Sequence, residues 1–334
     1  KMRIENSYSL KLHNSLRLES TAEYYCEITN QEEAQEAIEF ANNKDSSITF
    51  LGEGTNVILG PNYIGLVIKN SINQKSIEKN QVHAGGGVNW NELVLWSLQN
   101  NLFGLENLVL IPGSVGAAPI QNIGAYGEEL SSHFLSLEAI DIKTNEILHL
   151  SNNDCEFSYR SSIFQKKRNI FITDIKLKLS TESSTNTSYE KLNKYLIRDD
   201  IDPSKATPHQ VCRAVTHLRQ QVLPNPINTP NVGSFYKNLL LDKKSLTELK
   251  EKIKDVPFFL TDEGIFKVPT AFLLERAGWK GVRKGKVGIS EDHALVLTSE
   301  GDSTKDEIMN FSSEVCKDIY NKYSINLEIE PEVI

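Results

Sequence analysis

The stretch IPGSVGAAPIQNIGAYG, residues 111 to 127, holds four glycines, three alanines and two prolines in seventeen positions, and no charged side chain. Glycine admits positive φ and lets another group come to backbone distance, while Pro112 and Pro119 stop the segment from closing into a helix. A chain with such a segment must therefore lay irregular backbone close against something else. Gln121, Asn122 and Tyr126 stand inside it as uncharged polar groups able to read a polar heterocycle. The segment is expected to wall a flat ligand.

At 334 residues the chain exceeds what one hydrophobic core usually supports, which predicts two or three domains. With 39% hydrophobic and 24% charged residues it reads as a soluble globular protein. Its 36 basic against 44 acidic residues, net −8, argue against nucleic acid as the main partner. No run approaches the roughly 18 apolar residues of a spanning helix. The opening KMRIENSYSLKLHNSL lacks the apolar core of a signal peptide, so a cytoplasmic protein with no membrane partner is expected. Cys26, Cys155, Cys212 and Cys316 lie far apart, and the seven histidines show no ligand spacing. Reduced thiols and no structural metal follow as expectations.

Along the chain, TNQEEAQEAIEFANN has Thr29 and Glu32 at capping-box spacing and puts Ala34, Ala37, Ile38 and Ala41 on one helical face. Short β-rich runs broken by glycine follow, SITFLGEGTNVILG and GLVIKN, then QVHAGGGVNW leading into a helix near NELVLWSLQNN. LSLEAIDIKTNEILHLS predicts a hairpin, and NIFITDIKLKLS a strand that buries Phe171, Thr173, Ile175, Leu177 and Leu179. The polar TESSTNTSYE, 181 to 190, is expected to be a mobile loop. Thr207 and Pro208 open a helix with Val211, Val215, Leu218 and Val222 at helical spacing, ended by the prolines of LPNPINTPN. Helices near 245–254, 270–277 and 303–323 and a strand INLEIEPEV complete α+β or α/β patterning.

LGEGTNVIL, 51 to 59, has consecutive backbone N–H groups at Gly52, Gly54, Thr55 and Asn56 that could form a pyrophosphate nest, although on its own the segment reads more readily as a hairpin turn. GEGTNV and AGGGVNW both lack the third glycine of G-x-G-x-x-G, which disfavours a Rossmann dinucleotide site.

Taken in order, LGEGTNVIL, HAGGGVNW, GLENLVLIPGSVGAAPIQNIGAYGEEL, FSYRSSIF, NVGSFYKN and LEIEPEV resemble the UDP-N-acetylenolpyruvoylglucosamine reductases, the MurB family, across nearly the whole chain. The resemblance implies an α+β protein with an FAD-binding fold of the vanillyl-alcohol-oxidase (PCMH) type. Two FAD-binding subdomains would span 1–70 and 71–205, and a UDP-sugar domain 206–334. It implies non-covalent FAD, NADPH as hydride donor, and reduction of an enolpyruvyl UDP-N-acetylglucosamine to UDP-N-acetylmuramate for peptidoglycan, by a monomeric enzyme.

By the same resemblance, Gly52, Glu53, Gly54, Thr55, Asn56 and Val57 would meet the flavin's phosphates. Pro112, Gly113, Ser114, Gly116, Ala117, Gln121, Asn122, Gly124, Ala125 and Tyr126 would lie along the cofactor. Arg160 matches the arginine that holds the substrate carboxylate, a task for which a guanidinium is bidentate and permanently charged. Ser234 matches the proton donor, and Glu332, rather than Glu330, the acid acting with Arg160. Tyr159, Tyr189, Lys237 and Asn238 would touch substrate, Tyr189 from the polar loop of the family's longer branch. Two departures stand out. Val222 replaces the lysine of the family's R-x-x-K-L-P, and the sequence ends two residues after Glu332, an end expected to be loose.

Overall fold

The computed structural model describes residues 2–261 and 264–334. Its contacts divide the chain into two compact units. The first takes the residues up to Tyr8 together with Ala22–Gly54 and Tyr63–Arg219; the second takes Ser9–Thr21, Thr55–Asn62 and Gln220–Ile334. The assignment differs from the expected boundaries for 9–21, 55–62 and 206–219, and for 55–62 strand pairing is the reason. Val57–Ile58 pairs in parallel with Glu332–Val333, far away in sequence.

Among the described residues the first unit contains two large sheets and the short pair Gly124–Ala125 with Glu128–Glu129. One has the strand order Glu5–Ser9, Thr21–Ile28, Asn62–Asn70, Ile48–Leu51. Helix Gln31–Asn43 packs its buried Ala34, Ala37, Ile38 and Ala41 into a core with Cys26, Ile28, Leu66 and Ile68. Its cap is one residue later than the spacing predicts: Asn30 accepts from the Glu33 N–H at 2.8 Å, and Glu33 reaches back to the Thr29 N–H. The second sheet is antiparallel, ordered Ile147–Ser151, Phe134–Asp141, Ile170–Lys178, Gln81–Gly85, Lys75–Glu78. The expected hairpin is its first pair. Phe171, Thr173, Ile175, Leu177 and Leu179 are buried as alternation predicts. Trp90, Leu93, Phe134, Leu137 and Ile175 join the main core, and Trp90 Nε1 satisfies its polar edge on the Leu108 carbonyl at 3.0 Å. Helix Pro208–Gln220 begins as expected, with Thr207 and Gln210 bonding each other's N–H.

The second unit has its own core, including Leu16, Leu18, Ile58, Phe235, Tyr236, Leu273 and Phe311. One sheet runs Asn231–Ser234, Val296–Ser299, Val287–Ile289, Arg283–Lys284, and another runs Leu239–Leu241, Phe266–Val268, Phe259–Leu260. Helices Lys243–Lys252, Thr270–Arg276 and Lys305–Tyr323 lie within two residues of their predicted positions, the last opened by a Thr304–Glu307 capping box. The expected strand over INLEIEPEV is shorter. It is an isolated bridge of Ile329 to Tyr236, then Glu332–Val333. Among the described residues no helix is long and apolar enough to cross a membrane.

Candidate active site

In the first unit three glycine-containing segments close on one another. Residues 113–116 dock on 86–90: Trp90 N–H donates to the Gly113 carbonyl at 2.9 Å, Val115 N–H to Val88 at 2.8 Å and Gly116 N–H to Gly86 at 2.8 Å. A Cβ on Gly116 would stand 3.0 Å from the Gly86 Cα and 3.1 Å from two backbone oxygens. A Cβ on Gly52 would fall 2.3 Å from Ser114 Oγ. Much of the smallness in 111–127 therefore serves backbone docking within the protein, where the sequence alone suggested room for a ligand.

The strand Ile48–Leu51 pairs in parallel with Asn62–Asn70, and Val57–Ile58 pairs elsewhere, so 52–56 is not a hairpin turn. It is a linking segment. Among the described residues, no protein acceptor receives the backbone N–H groups of Glu53, Gly54, Thr55 or Asn56. Such a run of free donors suits phosphate oxygens. Lys69, on the strand paired with Leu51, donates its ammonium to the Gly52 carbonyl and braces the segment from behind. Burial lowers its pKa, opposed by Glu53 and Glu27. The sequence offered no signal for this lysine.

Backbone conformation is costly where the segments meet. Leu110, Asn122, Tyr126 and Arg160 all have φ between 42° and 58°, a region that non-glycine residues seldom occupy and that concentrates at functional sites. Asn122 is wholly buried, and its amide is spent inside the protein. Nδ2 donates to Glu129 Oε2 at 2.9 Å and the Ser158 carbonyl at 3.2 Å, and Oδ1 accepts from Ser131 N–H at 3.0 Å. Asn122 is thereby corrected from a side chain reading a ligand edge to one that joins 122 to the segment carrying Arg160.

Arg160 Nη2 donates to the Gly124 carbonyl at 2.6 Å, and its guanidinium lies 5.5 Å from the Tyr159 ring. The rings of Tyr126 and Tyr189 meet edge-on at 5.2 Å. Burial raises the Tyr189 pKa, with Tyr159 adding to it, and burial likewise raises that of Tyr126, opposed by Arg219. Arg219 belongs to this cluster although no motif marked it. Its Nη2 donates to the Leu110 carbonyl at 3.2 Å, its Nε is buried without an acceptor, and Arg160 is its like-charged neighbour. Three tyrosines and two guanidiniums thus share one corner of the first unit, an arrangement suited to an anionic ligand with flat groups.

Ser234, Lys237, Asn238 and Glu332 belong to the second unit. Phe235 and Tyr236 are buried anchors, so the partly exposed Ser234 and Lys237 flank them in a set geometry. The segment carrying Glu332 runs beside this one. Lys237 N–H donates to the Glu328 carbonyl and Glu330 N–H to the Phe235 carbonyl, each at 2.9 Å. The Lys237 ammonium is paired with the Glu328 carboxylate, and Asn238 Oδ1 accepts from the Thr270 N–H at 3.1 Å. Glu332 is exposed, and its N–H donates to the Asn56 carbonyl at 3.0 Å. The chain end is not loose: Ile334 N–H donates to Ile58 at 2.9 Å, and the Ile334 carbonyl accepts from Gly60 at 2.8 Å and Lys305 Nζ at 3.1 Å.

Two protein-family models match, an FAD binding domain over residues 22–151 and the C-terminal domain of UDP-N-acetylenolpyruvoylglucosamine reductase over 225–334. The chain is 37% identical to the UDP-N-acetylenolpyruvoylglucosamine reductase of Flavobacterium johnsoniae, covering 100% of both chains. The chain belongs to the UDP-N-acetylenolpyruvoylglucosamine reductase family. It is 35% identical to the Bdellovibrio bacteriovorus reductase, with 99% of each covered. The crystal structure of the Thermus caldophilus reductase (MurB) superposes over 100% of this chain and 99% of that one with a TM-score of 0.70, at 20% identity, which establishes the shared fold. Within this family, the free N–H groups at 53–56 and the docked glycine segments are a fitting cradle for the phosphates of FAD.

Proposed function

We propose that the chain reduces the enolpyruvyl ether of UDP-N-acetylglucosamine to UDP-N-acetylmuramate, a step of peptidoglycan precursor synthesis. The enzyme uses non-covalent FAD with NADPH as donor, and acts in the cytoplasm as a monomer on small molecules. The observation that carries this reading is the corner of the first unit where the docked glycine segments, Arg160, Arg219 and the tyrosines converge in a chain matched end to end by reductases of that name. The two large sheets of the first unit support two FAD-binding subdomains meeting near residue 70.

When bound, FAD supplies the hydride chemistry. Backbone N–H groups at 53–56 hold its phosphates, and 113–126 lies along it. Arg160 takes the substrate carboxylate, an anion that a planar guanidinium can grip bidentately. As negative charge grows on the carbon beside that carboxylate, Ser234 delivers a proton to it from Oγ. Glu332 acts with Arg160 at the same step.

The test is spectroscopic. The purified protein is yellow, is bleached anaerobically by NADPH and recovers its colour on adding the enolpyruvyl UDP-sugar. Recovery that is equally fast with unrelated acceptors would overturn the assignment.

A further inference from the structure

Asn107 and Asn186 stitch the 126–128 turn to the loop that carries Tyr189. Asn107, 1% exposed, donates Nδ2 to the Tyr126 carbonyl and to the Asn186 carbonyl, both at 2.8 Å. Asn186 answers in the opposite direction: its Nδ2 donates to the Gly127 carbonyl at 2.9 Å and to Glu128 Oε2 at 3.1 Å. Its Oδ1 accepts from the Ser188 N–H at 3.1 Å and from Ser188 Oγ at 2.6 Å. Both ends of this clasp lie within three residues of the meeting Tyr126 and Tyr189 rings. Burial works to raise the Glu128 pKa, but His133, with Nε2 3.3 Å away, and the hydrogen bond from Asn186 outweigh it and hold the carboxyl below its usual range, so Asn186 donates to a charged acceptor.

The loop needs such a tie. Beside it lies a cavity of about 590 Å³ lined by Phe103, Glu106, His133, Ser180, the clasp residues Asn107 and Glu128, and the loop's own residues 184–188. Thr185 and Thr187 Oγ1 donate to the Ala206 and Pro203 carbonyls at 3.0 Å, and Asn193 Nδ2 donates to the Thr187 carbonyl at 3.3 Å. Tyr189 itself is 45% exposed.

We infer that Asn186 is a positioning residue for substrate binding: it latches the loop to the cofactor wall in the arrangement where Tyr189 stands against Tyr126. The inference rests on Tyr189 being a substrate contact. Without the latch the loop samples the cavity beside it, and binding must first restore the closed arrangement, which weakens affinity and leaves the chemistry of the bound complex intact.

In the FAD-loaded enzyme, Asn186→Ala should raise KM for the enolpyruvyl UDP-sugar roughly three- to twentyfold, the worth of one or two hydrogen bonds, with kcat changed less than about twofold. Hydrogen exchange at 184–189 should speed up in the same variant, with or without substrate. Asn186→Asp fills the same volume yet turns the donor into a carboxylate facing Glu128, so its KM should rise at least as far. A wild-type KM in that variant would overturn the latch. Tyr189→Ala and the Asn186→Ala/Tyr189→Ala double variant complete the cycle. If the latch works through Tyr189, the double variant is no worse than Tyr189→Ala, whereas independent, additive losses would refute it. If Tyr189→Ala raises KM and Asn186→Ala does not, the latch fails alone. If Tyr189→Ala leaves KM unchanged, the role of Tyr189 in binding fails, and the latch with it.

Discussion

Ser234 shows how a residue of weak intrinsic chemistry can be given one step only. A hydroxyl can protonate carbon only when that carbon is becoming strongly basic and the oxygen is held in reach, and Phe235 and Tyr236 hold Ser234 by burying both neighbouring rings. Ser234→Ala should therefore accept electrons from NADPH at nearly the normal rate and pass them to substrate about 10²- to 10⁴-fold more slowly. Stopped-flow absorbance resolves the two half-reactions, and equal slowing of both would remove the proton-donor role. Glu332→Gln should likewise spare flavin reduction and slow its re-oxidation, while Glu330→Gln should leave both half-reactions near normal; matching losses in the two variants would deny the role to a single carboxylate. Away from the site, burial and Glu138 directly across the strand push Asp174 up from an ordinary 3.8 to about 7, against Lys176. His83 and Lys75 share its pocket. The folded state then binds a proton that the unfolded state has lost, so this residue's contribution to stability is full below about pH 4 and disappears as pH rises through 7. Asp174→Asn should flatten that decline, compared by urea unfolding at pH 5 and pH 8. An unchanged pH profile would show that Asp174 titrates normally.

At the scale of elements, amphipathic spacing and caps announced most of the helices, because both are local. Ala34, Ala37, Ile38 and Ala41, the Thr207–Gln210 cap and the Thr304–Glu307 box all act within one or two turns. Helix Glu190–Arg198 was not legible. It opens behind a polar loop, buries only Leu192 and Leu196, and exposes Ile197. The loop before it was expected to be mobile, yet its Thr185, Asn186 and Thr187 side chains are tied to carbonyls at 206, 127 and 203, partners that local composition cannot reveal. The docked glycine segments give this scale its prediction. A methyl on Gly116 meets backbone of Gly86 and Ile172, which cannot turn aside as a side chain would. Gly116→Ala should cost about 1 to 3 kcal/mol in chemical denaturation and weaken retention of FAD. A stable, fully yellow variant would mean that the two loops can part without loss.

For the whole molecule, the division into two units with separate cores sets how it should unfold. A ligand that binds the folded form at about 100 times its Kd adds about 2.7 kcal/mol, and most FAD contacts proposed here lie in the first unit. Adding FAD to the stripped protein should therefore delay unfolding seen at Trp90 and Trp96, in the first unit, more than that seen at Trp279, in the second. Identical shifts at all three would show one cooperative structure. The family, the α+β class and the order of the site motifs were written in the sequence, because they rest on short segments whose spacing and composition survive without their surroundings. Tertiary structure alone decided which glycines face protein backbone, that Asn122 is spent internally, and that Arg219 joins Arg160 beside Tyr126. It also paired 57–58 with 332–333 and closed the Asn107–Asn186 clasp. Most of these depend on contacts between residues tens to hundreds of positions apart, and a hydrogen-bond partner or a missing Cβ acquires its meaning only when the distant atom arrives.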